Sequence, residues 1–178
     1  MDRIYFPSFD GEQISLLLAR PAGGEARPCV VFLHGGAWRF GLADSYARHA
    51  EYAVSRGAVD LTGRLNWELF GRCDMETVTP DTWLEKYRAG AAVSPLLQAG
   101  PGNTPVTHMQ GLNDEIIFPY ETAQLHDRLL ACGVENRLIL LPGQKHSFIL
   151  FHYQSPDETV QKYLDMAGDI LAEKGFLQ

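Results

Sequence analysis

Cys29-Val30-Val31-Phe32-Leu33 runs straight into His34-Gly35-Gly36-Ala37-Trp38. Five apolar residues in a row, too few for a helix of ordinary length, predict a strand buried on both faces of a sheet. The glycine pair ends that strand sharply. Without side chains, Gly35 and Gly36 let backbone N–H groups turn toward a ligand. N–H groups aimed in this way can hold the negative oxygen of a tetrahedral intermediate. The same residues also read as a plain tight exit from a strand, with His34 satisfied by local hydrogen bonds, and the Gly-Gly pair alone does not choose between the two.

Outward from this stretch, the pattern alternates. Before it, Arg3 to Pro7 and Gln13 to Leu18 are β-prone runs around Asp10-Gly11, which predicts an antiparallel hairpin. Pro21 to Pro28 reads as a loop. After it, Asp44 is placed to cap a helix that runs to Arg56 and stops at Gly57. Residues 58 to 104 have no clear period. Asp81 can cap a short helix carrying Trp83, Leu84 and Tyr87, while Ser94-Pro95 and Gly100-Pro101-Gly102 are loop signals. The last third is clearer: a strand over Pro105 to Gln110, a helix over Pro119 to Cys132 and a strand over Arg137 to Leu141. A final helix opens with a capping box, Ser155 as cap, Pro156 at the first position and Glu158 reaching back. Val160, Leu164, Ala167 and Leu171 form its apolar face. Strands alternating with helices predict an α/β fold with a mostly parallel sheet and an antiparallel hairpin at one edge. The 178 residues suit a single domain, 1–178.

Composition narrows the function. Hydrophobic residues are 46% and charged residues 21%, the balance of a globular protein. No apolar run is long enough to span a bilayer and no basic-then-apolar leader stands at the start, so no membrane span and no Sec export are expected. The net charge of -7 lacks the basic footprint of a nucleic-acid binder. Cys29, Cys73 and Cys132 are odd in number and widely spaced, which predicts neither a zinc site nor a disulfide framework and fits a cytoplasmic location. The six histidines show no metal spacing, and the glycine pairs make no phosphate or dinucleotide fingerprint, so no cofactor and no metal are expected.

In a parallel sheet, chemistry collects beyond the carboxyl ends of the strands. Asp114 lies just beyond the strand ending near Gln110-Gly111, and His146 just beyond the strand ending near Leu141. Successive strands of this kind can set the two side by side, where the carboxylate fixes the imidazole tautomer and stabilises its charged form. Taken singly, a helix-capping Asp and a surface His are the more ordinary readings.

Together these segments resemble the esterase and lipase branch of the α/β-hydrolase superfamily. The chain looks most like the small carboxylesterases of the acetyl-esterase, feruloyl-esterase-like and hormone-sensitive-lipase type, with kinship to the catalytic domain of prolyl oligopeptidases. The resemblance covers residues 1–59 and about 90–175. Val30 to Trp38 resembles the strand and oxyanion loop, Pro105 through Asp114 to Pro119 the segment bearing the catalytic acid, and Leu140 to Phe148 the loop bearing the catalytic histidine. It implies hydrolysis of a carboxylic ester. His146 would be general base and acid, Asp114 its orienting partner, and the N–H groups of Gly35, Gly36 and Ala37 the oxyanion hole. His34 and Trp38 would line the site of a small ester or acyl ligand.

One element of that family is missing from the sequence. Its nucleophile sits in Gly-x-Ser-x-Gly, on a strained turn from strand to helix. None of Ser8, Ser15, Ser45, Ser55, Ser94, Ser147 and Ser155 is flanked in that way. Ser55 to Val59 resembles the end of the family's first helix and the start of its next strand. Asp60-Leu61-Thr62-Gly63 already resembles a segment beyond the nucleophile, so two or three βα units, including central strands, read as lost. A reduced sheet must then close around the gap or be covered by a second copy, a homo-oligomer. Three readings follow: an esterase-family chain with little or no activity, a non-catalytic binding or regulatory protein that keeps the old pocket, and a hydrolase whose nucleophile has moved or comes from another chain.

Overall fold

A computed structural model describes residues 1–7, 13–23, 27–33, 43–63 and 94–177. They fall into two compact units, Met1–Arg72 with Ile149–Gln178, and Cys73–Phe148.

The first unit opens with the hairpin that the sequence predicts. Strand β1 (Asp2–Pro7) pairs antiparallel with β2 (Gln13–Ala19), in a register that sets Asp2 opposite Leu18 and Pro7 opposite Gln13. The Asp10-Gly11 turn lies outside the described residues. β3 (Cys29–Leu33) follows, then a single 3-10 turn over Ala43–Tyr46, helix α1 (Ala47–Ser55) and β4 (Val59–Gly63). The strand order is β1-β2-β4-β3: β4 is antiparallel to β2 and parallel to β3. Asp60 to Gly63 thus belongs to the strand that α1 feeds.

Two local expectations need correction here. Among the described residues β3 is outermost in its sheet and alternates rather than being buried on both faces. Val31 is 55% exposed, while Val30 and Phe32 pack against the core. Asp44 does not cap α1. The 3-10 turn intervenes, Tyr46 holds the cap position without a side-chain bond, and Asp44 pairs instead with Arg3 at 2.5 Å. The end of α1 is as expected. Gly57, at φ +85°, takes the left-handed conformation that lets the N–H groups of Gly57 and Ala58 return to the carbonyls of Val54 and Ala53.

Helix α4 (Asp157–Glu173) completes this unit. It begins one residue later than predicted, with Pro156 at the cap position, so Ser155 falls outside it and the capping box does not form. Asp157 ties the first turn to α1 instead, accepting from Arg48 at 2.6 Å and from the His152 N–H at 3.1 Å. Val160 and Leu164 are buried as the pattern predicts; Ala167 and Leu171 are only partly so, and Tyr163 and Gly168 join the buried face. Gly168 is there because a Cβ would come within 3.1 Å of the Tyr52 ring carbons. Ala53, Ala58 and Leu177 form the core, with Val30, Phe32, Leu171 and Ala172 against it.

The second unit holds a short helix α2 (Pro95–Gln98), β5 (Val106–Gly111), α3 (Pro119–Ala131) and β6 (Asn136–Leu141). Ser94-Pro95, read as a loop signal, is in fact a helix start, Ser94 at the cap and Pro95 at the first position, where a missing N–H costs nothing. β5 and β6 pair in parallel, Val106 opposite Asn136 and Gly111 opposite Leu141. Leu129 of α3 forms a buried cluster with Ala99 and Val134. The helix expected around Trp83 lies outside the described residues. Among the described residues no helix is long and apolar enough to cross a membrane. The architecture is α/β, a parallel pairing of strands through helices joined to an antiparallel hairpin.

Candidate active site

The end of β5 carries Asp114 and the end of β6 carries His146, and backbone bonds join the two loops. Leu112 N–H donates to the Leu141 carbonyl at 3.0 Å and Asn113 N–H to the Gln144 carbonyl at 2.9 Å. These contacts require Gly111: a Cβ there would come within 2.8 Å of the Gln144 carbonyl carbon and closer still to its oxygen. The second loop turns at Pro142-Gly143. Gly143 sits at φ +76° and Gln144 N–H returns to the Leu141 carbonyl at 3.3 Å, as in a type II turn with Pro and Gly at its two central positions.

His146 Nδ1 lies 3.1 Å from both Oδ1 and Oδ2 of Asp114. The Asp114 side chain is 9% exposed and that of His146 39%. Asp114 Oδ1 also accepts the backbone N–H groups of Ile116 and Ile117, each at 2.9 Å. Burial works to raise the Asp114 pKa. The N–H groups of Ile117 and Ile116, then the His146 imidazole, outweigh it and hold the carboxyl below its ordinary value. A carboxylate that stays charged against Nδ1 makes that nitrogen the hydrogen-bond donor and leaves Nε2 with its lone pair. The two isoleucine N–H groups are part of this arrangement that sequence reading missed, since backbone donors leave no residue signature.

The other candidates are placed as follows. His34, Gly35, Gly36, Ala37 and Trp38 lie outside the described residues, as do Ser8 and Cys73. Ser45 is exposed in the 3-10 turn before α1, Ser55 Oγ donates to the Tyr52 carbonyl at 2.7 Å, and Ser94 begins α2. Ser147, beside His146, has φ +55°, an uncommon conformation for a residue with a side chain. Among the described residues no group of three or more His, Cys, Asp and Glu is placed to hold a metal ion.

A second histidine was not singled out by its sequence. His49 on α1 is fully buried among Phe32, Tyr46 and Phe151, and its Nε2 lies 2.9 Å from the Ile149 carbonyl. Its Nδ1 is buried without a partner. Burial lowers its pKa, the bond to Ile149 opposes this, and the Arg48 charge adds to the lowering. It is a core histidine whose burial disfavours the charged form.

Comparison with solved structures finds the same fold in a thermophilic esterase, esterase 2 of the Planctomycetes species Thermogutta terrifontis. The propionate-bound form is 18% identical, with a TM-score of 0.80 over 99% of this chain and 95% of that one. The butyrate-bound form is 17% identical, with a TM-score of 0.81 over the same shares. The form phosphorylated by paraoxon is 18% identical at 0.78, again over 99% and 95%. Identities this low establish a shared fold. No curated protein matches the chain in sequence. The family model of the prolyl oligopeptidases, by contrast, matches residues 47–168, more than half of the chain and both of the loops that bear Asp114 and His146, and the chain belongs to that family.

Proposed function

We propose that the chain binds small carboxylic esters and hydrolyses them slowly, with His146 as the general base for water. The observation that carries this reading is the contact of the His146 imidazole with a carboxylate that is 9% exposed. In the proposed step His146 Nε2 takes a proton from water as the oxygen attacks the ester carbonyl. Asp114 stabilises the imidazolium, and the N–H groups of Gly35, Gly36 and Ala37 receive the oxyanion, an assignment that rests on the resemblance of their sequence. Collapse breaks the ester C–O bond, and the departing alkoxide takes the proton back from Nε2. A base acting on water without a serine nucleophile supports only slow turnover, since no acyl-enzyme divides the reaction into two easier steps.

The propionate and butyrate bound to the Thermogutta esterase support a short acyl group. His34 and Trp38 are proposed to line the ligand site. Residues 1–178 are proposed as one domain, in line with a family match that runs through both compact units. A cytoplasmic location is proposed from the cysteine usage, and a homo-oligomer from exposed strand side chains such as Val31 and Leu140; light scattering tests the latter. The second reading, a non-catalytic protein that binds acyl ligands, is favoured by the absence of Gly-x-Ser-x-Gly from the sequence. Calorimetry with propionate and butyrate, beside hydrolysis of p-nitrophenyl butyrate, separates the two: binding with turnover supports the first, binding without turnover the second.

A further inference from the structure

We propose that Gln110 is a positioning residue for Asp114, acting through Ile117 and held in its own orientation by Thr122. The inference rests on the reading of Asp114 and His146 as a working pair. Gln110 stands near the end of β5 and is 7% exposed, a place where an apolar side chain would be the ordinary choice. A buried amide is costly unless its polar atoms are bonded, and here both the nitrogen and the oxygen are. Nε2 donates to the Gly111 carbonyl at 3.0 Å and to the Ile117 carbonyl at 3.1 Å. Oε1 accepts the Thr122 hydroxyl at 2.6 Å.

Each of these bonds falls on the loop that carries Asp114 or on the helix that follows it. Gly111 and Ile117 flank that loop, and one amide binds both carbonyls. Ile117 is held from two sides, its carbonyl by Gln110 and its N–H by Asp114 Oδ1. The Gly111 carbonyl also accepts the Asp114 N–H at 3.3 Å. Gln110 therefore holds the Gly111 carbonyl, which accepts the Asp114 N–H, and the carbonyl of Ile117, the residue whose own N–H binds the carboxylate. Thr122, in the first turn of α3, donates to Oε1 and so keeps the Nε2 hydrogens on the carbonyls. Fully bonded buried networks of this kind fix one geometry. Gln110 is not a catalytic residue: its bonds are to Gly111, Ile117 and Thr122.

The test reads the tautomer of neutral His146 by nitrogen NMR of the full chain, at a pH where the ring is uncharged. In the unmodified chain the Nδ1–H form is expected to dominate. Thr122→Val keeps the shape and removes the hydroxyl. It is expected to raise the Nε2–H population about fivefold, the worth of one buried hydrogen bond, without a change in fold by circular dichroism. Thr122→Ser, which restores the donor, is expected to return the ratio to its starting value. Gln110→Met is the stronger variant, and Thr122→Val serves if it fails to fold. A folded Thr122→Val chain with an unchanged ratio overturns the role of Gln110 while leaving the Asp114–His146 pair intact. A dominant Nε2–H form in the unmodified chain overturns the pair itself, and the proposal with it.

Discussion

His146 Nδ1 is 3.1 Å from both oxygens of Asp114, and of the two it is the carboxylate that is buried. The buried carboxylate is the member with backbone donors, Ile116 and Ile117, while the imidazole side chain is 39% exposed.

The first prediction concerns acid stability. The Asp114 pKa is lowered in the folded chain. Its contribution is fully present above the unfolded carboxyl value of about 3.9 and is lost as pH falls through the lower folded value. Asp114→Asn is expected to lose stability at neutral pH and to show a shallower decline below about pH 4. Thermal midpoints measured from pH 3 to 6 test this, and identical slopes for the two chains would count against it.

His49 gives a second pH window. Its folded pKa is lowered, so the unfolded chain takes up a proton first. The stability it supplies is complete above about pH 6.5 and declines as the pH drops below that value. His49→Gln keeps a donor for the Ile149 carbonyl and carries no titrating ring. It is expected to flatten the stability profile between about pH 6.5 and 5, measured by urea unfolding. An unaltered profile would show that the buried ring is not the group responsible.

A third prediction is steric. Gly111→Ala forces a methyl group into the Gln144 carbonyl and pushes apart the loops of Asp114 and His146. A loss of about 1–3 kcal/mol of stability is expected from overpacking at fixed backbone. The His146 tautomer ratio should shift with it. A variant with unchanged stability would mean that the close approach is not rigid.

The fourth prediction is chemical. Fluorophosphonates form stable adducts with activated serines, and Ser55 is bound to a carbonyl while Ser45 and Ser94 sit at helix starts. No stoichiometric adduct is expected on the folded chain. One adduct, lost on denaturation and mapped to a single serine, would replace the water mechanism with a relocated nucleophile.

The elements around Asp114 and His146 were legible because their punctuation is strong: Pro119 opens α3 and Pro142-Gly143 makes the turn before His146, just as Gly57 closes α1 elsewhere in the chain. The pairing of two residues 32 apart was legible only as a consequence of parallel strands, β5 beside β6. What failed did so for nonlocal reasons. Asp44 is a good cap by type, yet Arg3, 41 residues away, draws it off. Ser155 and Glu158 spell a capping box, yet Pro156 takes the cap position and Arg48 holds Asp157. Cys29 to Leu33 reads as a strand buried on both faces, yet among the described residues it is outermost in its sheet, because hydrophobicity alone does not tell how many neighbours a strand has. Gln110 and His49 gave no signal, since one buried polar residue in an apolar run looks like noise until its partners are seen.

The central claim is that His146, oriented by Asp114, activates water against an ester. The direct test is the initial rate of p-nitrophenyl butyrate hydrolysis by the unmodified chain and by His146→Ala, each confirmed folded. A general base contributes about a hundredfold or more, so turnover above the buffer rate should fall about that far in the variant. Equal turnover by the two chains would contradict the account.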